Sequence, residues 1–158
     1  MKFLRILCLL LIAICSLNAQ AQNEQDFASR YMSLYAKGTS LKCTTVSPLM
    51  LEKMMSLPDV KGDDQKKTLL SQLKSIRMVD NTVKSETQRL YTNAQQLAKH
   101  NGVRYKLYAQ RQSKRLFVRR KDGLIVEMVL FMKYDSHFRL INLTGNMTDE
   151  FIKQVMNL

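Results

Sequence analysis

The segment Val103–Leu143 constrains the fold more than any other. Leu116 and Val118, then Val126, Met128, Leu130 and Met132, alternate with other residues at period two, the pattern of a strand pair that buries one face. Between them lies Arg120-Lys121-Asp122-Gly123, a hairpin signal whose glycine can adopt positive φ. A two-residue Asp122-Gly123 loop sets Val118 against Glu127 and mixes the faces. A three-residue Lys121-Asp122-Gly123 loop, with Gly123 as a bulge, sets Val118 against Val126 and Leu116 against Met128. Only the second gives a uniformly apolar face, so it is the register expected. Val103, Tyr105, Leu107 and Ala109 alternate in the same way upstream. A turn near Arg111–Lys114 then brings Leu107 opposite Val118 and Tyr108 opposite Phe117. The last strand is expected over Phe138–Leu143, ended by Gly145-Asn146. The segment therefore predicts a four-strand antiparallel meander with one apolar and one mixed face.

The remainder supplies helices and two short strands. Phe27, Tyr31, Leu34 and Tyr35 fall at helical spacing within Asn23–Lys37, with Gly38 at the stop. Leu41–Val46 reads as a strand. Ser47-Pro48 is a capping hydroxyl followed by proline at the first helical position, and the helix Pro48–Leu57 is apolar over so much of its circumference that deep burial is expected. Pro58–Asp64 reads as a polar loop, Gln65–Lys74 as a helix, Ile76–Val79 as a short strand and Ser85–Asn101 as the clearest helix. Thr148 should cap a final helix whose first turn carries Asp149 and Glu150, where carboxylates complement the helix dipole. The pattern predicts an α+β fold: the four-strand antiparallel meander, plus two short strands, with helices packed on one face.

The N-terminus predicts an address. Lys2 and Arg5 precede the apolar run Ile6–Cys15, and Ala19-Gln20-Ala21 supplies an A-x-A site. These are the three parts of a secretory signal peptide cleaved after about Ala21, with an apolar run too short to anchor the chain permanently. Residues 22–158 then form one expected α+β domain of 137 residues, exported to the periplasm or outer envelope, without a transmembrane helix. Cys8 and Cys15 leave with the leader, and Cys43 alone cannot make an internal disulfide. Lipidation of Cys15 is disfavoured by the bulky Ile14 before it. Cys43 in a strand reads as a small buried hydrophobe, and Met50, Met54 and Met55 as core filler.

Charge is the strongest functional signal. Without the leader the chain holds 23 basic and 13 acidic residues. Between Glu86 and Asp122 there is no acidic residue but ten basic ones, so the whole excess sits in one helix and two strands. In the expected register Lys106 lies opposite Arg119, Gln110 opposite Arg115 and Tyr108 opposite Phe117, with Arg104 beside them. Like charges across a strand pair are destabilising, which an acidic partner would relieve. Arg104, Lys106, Tyr108, Arg115, Phe117 and Arg119 are therefore the candidate ligand-binding residues. The competing account is a solvated face whose long stems cover the sheet.

Several stretches resemble an exported envelope family of Bacteroidetes known as domain of unknown function 4252. They are Val46-Ser47-Pro48-Leu49-Met50-Leu51, Leu73-Lys74-Ser75-Ile76-Arg77, Lys121-Asp122-Gly123 and Leu143-Thr144-Gly145-Asn146, in order along the chain. The resemblance implies a small, exported, non-catalytic protein with no cofactor and no assigned site. Catalytic signatures fail independently: there is no G-x-S-x-G, no phosphate-cradling glycine loop and no H-E-x-x-H. His100 and His137 have no ligand-spaced partner, so no metal site is expected. The function expected is binding of an anionic partner, whether lipid headgroup, acidic glycan or acidic protein; export argues against nucleic acid. The alternatives are a hydrolase of envelope material, favoured by a cleft with two carboxylates or by His137 beside Asp135 and a serine, and a structural protein that docks through helix surfaces.

Overall fold

The computed structural model describes residues 25–157; the expected leader lies outside the described residues. The elements run α1 (Phe27–Tyr35), β1 (Lys42–Val46), α2 (Pro48–Met55), α3 (Pro58–Lys61), α4 (Asp64–Ser71), β2 (Leu73–Asp80), a 3-10 turn (Lys84–Glu86), α5 (Thr87–His100), β3 (Lys106–Arg111), β4 (Lys114–Lys121), β5 (Leu124–Lys133), β6 (Phe138–Met147) and α6 (Asp149–Asn157). The strands form one six-stranded sheet in the order β1-β2-β6-β5-β4-β3, antiparallel throughout. The α+β class and the β3–β6 meander hold. Helix α3 occupies part of the expected polar loop, β2 is twice the expected length, and β6 runs through Gly145-Asn146 instead of stopping there.

Helices cover both faces of the sheet rather than one. Phe117, Val129, Phe131, Phe138, Leu140 and Val79 pack under α1 and α5, against Phe27, Tyr31, Leu90, Ala94 and Leu97. On the other face Leu116, Val118, Met128, Leu143 and Met147 pack under Phe151 and Ile152 of α6, with Leu69 of α4 alongside. Fully burying each large apolar side chain stabilises by ~1.5–3 kcal/mol, so neither layer is an accessory. The cause is legible in β5, Leu124-Ile125-Val126-Glu127-Met128-Val129-Leu130-Phe131-Met132. It is apolar almost without alternation, as in a strand covered on both sides.

The hairpin register also differs. The β4–β5 loop has two residues, Asp122 (φ 51°) and Gly123 (φ 80°), the doubly left-handed turn that matches strand twist. Lys121 faces Leu124 and Arg120 faces Ile125, after which Val126 is an extra residue. Beyond it Val118 faces Met128 and Leu116 faces Leu130. The bulge expected in the turn sits three residues downstream, in the strand, and it restores the alignment of faces that a two-residue loop alone would spoil. The β3–β4 turn falls where expected, at Gln112-Ser113. A bulge at Tyr108, however, sets Leu107 against Phe117 and Lys106 against Val118.

Helix caps follow the sequence. Ser47 accepts from the Met50 N–H at 3.3 Å and Thr148 from the Phe151 N–H at 3.2 Å. Burial of α2 does not. Leu51 is buried, but Leu49, Met50 and Leu57 are 60%, 49% and 52% exposed and Met54 is also at the surface, so these methionines are not core filler. Cys43 is likewise exposed, on the edge strand β1.

Candidate functional site

The six candidate residues do not share a face. Arg115, Phe117 and Arg119 point toward the α1/α5 layer. Lys106, paired with Val118, belongs to the opposite face. Tyr108 is the extra residue of the β3 bulge, outside the β3–β4 pairing. Arg104 precedes β3, donates to the Gln25 carbonyl at 3.2 Å and lies 5.6 Å from the Tyr105 ring centre. Phe117 is no exposed platform: its ring stands 5.2 Å from that of Phe131, beneath the helices. Of the expected cross-strand pairs only Gln110–Arg115 forms.

Arg119 instead serves a buried polar network whose centre is Glu127, fully shielded from solvent. Arg119 Nε donates to Glu127 Oε2 at 2.9 Å, and the Tyr105 hydroxyl donates to the same oxygen at 3.0 Å. Glu127 Oε1 accepts from the Phe27 N–H at 2.6 Å and from Asn142 Nδ2 at 3.1 Å. Asn142 Oδ1 in turn accepts from the Ala28 N–H at 2.8 Å. The carboxylate therefore sits at the start of α1, where unpaired N–H groups and the helix dipole favour negative charge. Asp26 caps the same turn through the Ser29 N–H at 2.8 Å and faces Arg77 Nε at 2.9 Å; that contact is an ion pair without hydrogen-bond alignment. Burial, reinforced by the Glu127 charge, pushes the Tyr105 phenol well above its ordinary range. The signal for this network was the lone acid inside the apolar run of β5, since a buried charge persists only when paired.

Other cations of the acid-free segment divide cleanly. Arg89 pairs with Glu86 and Arg120 with Asp149, where the hydrogen bond from Arg120 holds the Asp149 carboxyl below its usual range. Lys99, Arg104, Lys106, Arg111, Lys114, Arg115 and Lys121 have no carboxylate partner among the described residues. Arg115 Nε is buried without a hydrogen bond. Lys106, Arg111 and Lys114 are exposed on the β3–β4 hairpin, the free edge of the sheet. A hollow of about 540 Å³ lined by Arg111, Gln112, Ser113 and Lys114 opens at its turn.

The family model for domain of unknown function (DUF4252) matches residues 18–155. The chain belongs to the DUF4252 family. No curated protein matches it.

In this DUF4252 protein, three of the four stretches that carried the resemblance meet at one place. A cleft of about 550 Å³ is lined by Lys74, by Lys121 and Asp122, and by Thr144, Gly145 and Asn146, together with Asp26, Arg119, Leu124 and Val126. Gly145 has a steric reason to be there: a Cβ would stand 1.9 Å from the Gln72 carbonyl oxygen. The cleft does hold two carboxylates, but both Asp26 oxygens are engaged by the α1 cap and Arg77. Ser136 Oγ lies 3.2 Å from His137 Nδ1, yet the pair is one exposed turn with Tyr134 stacked on the imidazole. Among the described residues no three of His, Cys, Asp and Glu converge as metal ligands, and no helix is long and apolar enough to cross a membrane.

Proposed function

We propose that the protein is an exported, non-catalytic binding module of the cell envelope that engages an anionic partner through the β3–β4 hairpin. The observation that carries this is the row of cations Lys106, Arg111 and Lys114 on one free sheet edge, without a carboxylate partner among the described residues, in a molecule that pairs Arg77, Arg89, Arg119, Arg120 and Arg139 with carboxylates elsewhere. Exposed Leu107 and Tyr108 lie between them, so the edge presents charge with apolar contact area. Lys106 and Tyr108 are retained from the residues first expected, Arg104 and Arg115 border them, and Phe117 and Arg119 support the sheet beneath. The partner class is a lipid headgroup, an acidic glycan or an acidic protein.

The test is the triple variant K106Q/R111Q/K114Q. The native protein should be retained on vesicles containing phosphatidylglycerol or on an acidic polysaccharide, and released as salt shortens the screening length. The variant should pass through unretained. Retention that survives both the substitutions and high salt contradicts the reading. A second reading, docking through a helix surface, draws on the exposed Leu49, Met50, Met54 and Leu57. Concentration-dependent self-association abolished by Leu49→Ser would favour it.

A further inference from the structure

We propose that the cleft against the first turn of α1 binds a small organic carboxylate. Its volume of about 550 Å³ is that of a small-molecule site. Interruptions of the sheet open it. Lys74 is the extra residue of a bulge between β2 and β6, and Val126 breaks the ladder against both β4 and β6. Bulges re-aim side chains at the expense of pairing, and here they converge on one wall.

The charges of that wall select the ligand. Asp26 is neutralised by Arg77 and Glu127 by Arg119. What remains is Lys74 and Lys121 against Asp122, an excess of one positive charge that suits a monoanion better than a polyphosphate. Arg119 supplies shape. Its Nε is held by Glu127, and Glu127 is itself fixed by Tyr105, Asn142 and the Phe27 N–H. The terminal guanidinium nitrogens make no hydrogen bond within the protein among the described residues, while Arg119 lines the cleft. A guanidinium locked at Nε presents those two nitrogens as a planar fork, the geometry that matches a carboxylate. Leu124 and Val126 offer an apolar surface to the ligand body, and Thr144 and Asn146 offer polar groups. None of Lys106, Arg111 or Lys114 lines this space, so the site stands independently of the hairpin.

The experiment is a titration of the purified protein at low salt, read by backbone amide shifts, with sodium D-glucuronate, sodium benzoate and inorganic phosphate. At least one of the two carboxylates should saturate a single site whose largest shifts fall at Thr144–Asn146 and Val126, and its methyl ester should not. Lys74→Gln and Lys121→Gln, both at exposed positions, should each weaken binding several-fold, and Arg119→Lys, which keeps the charge but loses the fork, roughly tenfold. Lys37→Gln, a distant surface cation, should leave it unchanged. The proposal is overturned if neither carboxylate saturates the cleft, if only phosphate does, or if Arg119→Lys and Lys74→Gln bind as the native protein does.

Discussion

Arg119 and Lys106 stand on neighbouring strands, one residue out of register, and the fold treats them oppositely. Arg119 reaches into the α1/α5 layer and neutralises a carboxylate that water cannot reach. Lys106 stands on the far face at the open edge, with no carboxylate partner among the described residues. One contiguous, acid-free run of sequence thus contains structural cations and free ones. Charge density along a chain does not reveal which is which; the side of the sheet and the nearest carboxylate do. Glu127, Asp149 and Glu86 all lie outside the acid-free run, and among the described residues they decide which of its arginines are paired.

The largest effect is expected at the buried arginine. Arg119→Gln leaves the Glu127 carboxylate shielded and uncompensated, which should cost ~3–5 kcal/mol, read as a lower midpoint in chemical denaturation. A midpoint equal to the native one would show that the network holds nothing together. Gly145→Ala comes next. Its Cβ collides with the Gln72 backbone, and forcing such overlap costs about 1–3 kcal/mol or more and should shift β2–β6 amide resonances.

Alkaline pH sharpens the contrast from the same network. The phenols of Tyr105 and Tyr31 are both raised, chiefly by burial, above an ordinary value of 10.0. A raised folded-state value means stability is fully present below that ordinary value and is lost as pH climbs through the range above it. Unfolding should therefore become easier above about pH 10, with Tyr105→Phe reducing the slope while lowering neutral-pH stability through the hydrogen bond lost to Glu127. A pH-independent midpoint across that range would contradict the burial. The smallest effect on stability belongs to the rim: K106Q/R111Q/K114Q should leave the denaturation midpoint within about 0.5 kcal/mol of native, as surface changes do.

Much of the fold was readable beforehand, and the errors share a cause. Alternation in β4, the Ser47 and Thr148 caps and the α5 stripe of Leu90, Ala94, Leu97 and Ala98 are visible because local chemistry sets them, whereas the expected alternation of β3 breaks at the Tyr108 bulge, which puts Leu107 and Ala109 on opposite faces. The two-sided helical cover is not visible, because Val126, Met128, Leu130 and Met132 suggest one apolar face while Val129 and Phe131 between them are equally apolar and pack on the other. The register failed for a related reason. A bulge in the strand and a bulge in the turn both align apolar faces, and only tertiary packing chooses between them. Helix α2 shows the reverse case: apolar composition predicted burial, but its position beside the end strands leaves Leu49 and Met50 without a covering layer. The cleft is not legible in the sequence as a site because its walls come from β2, the β4–β5 turn and β6, although each stretch that lines it is recognisable on its own.

The division into locked and free cations is tested most directly by one paired measurement. Arg119→Gln and K106Q/R111Q/K114Q are each scored for denaturation midpoint and for salt-sensitive retention on phosphatidylglycerol vesicles. A crossover is expected: Arg119→Gln loses stability but, while folded, is still retained, whereas the triple variant keeps its midpoint and is not retained. If the triple variant stays bound, or if Arg119→Gln is as stable as the native protein, the division does not exist.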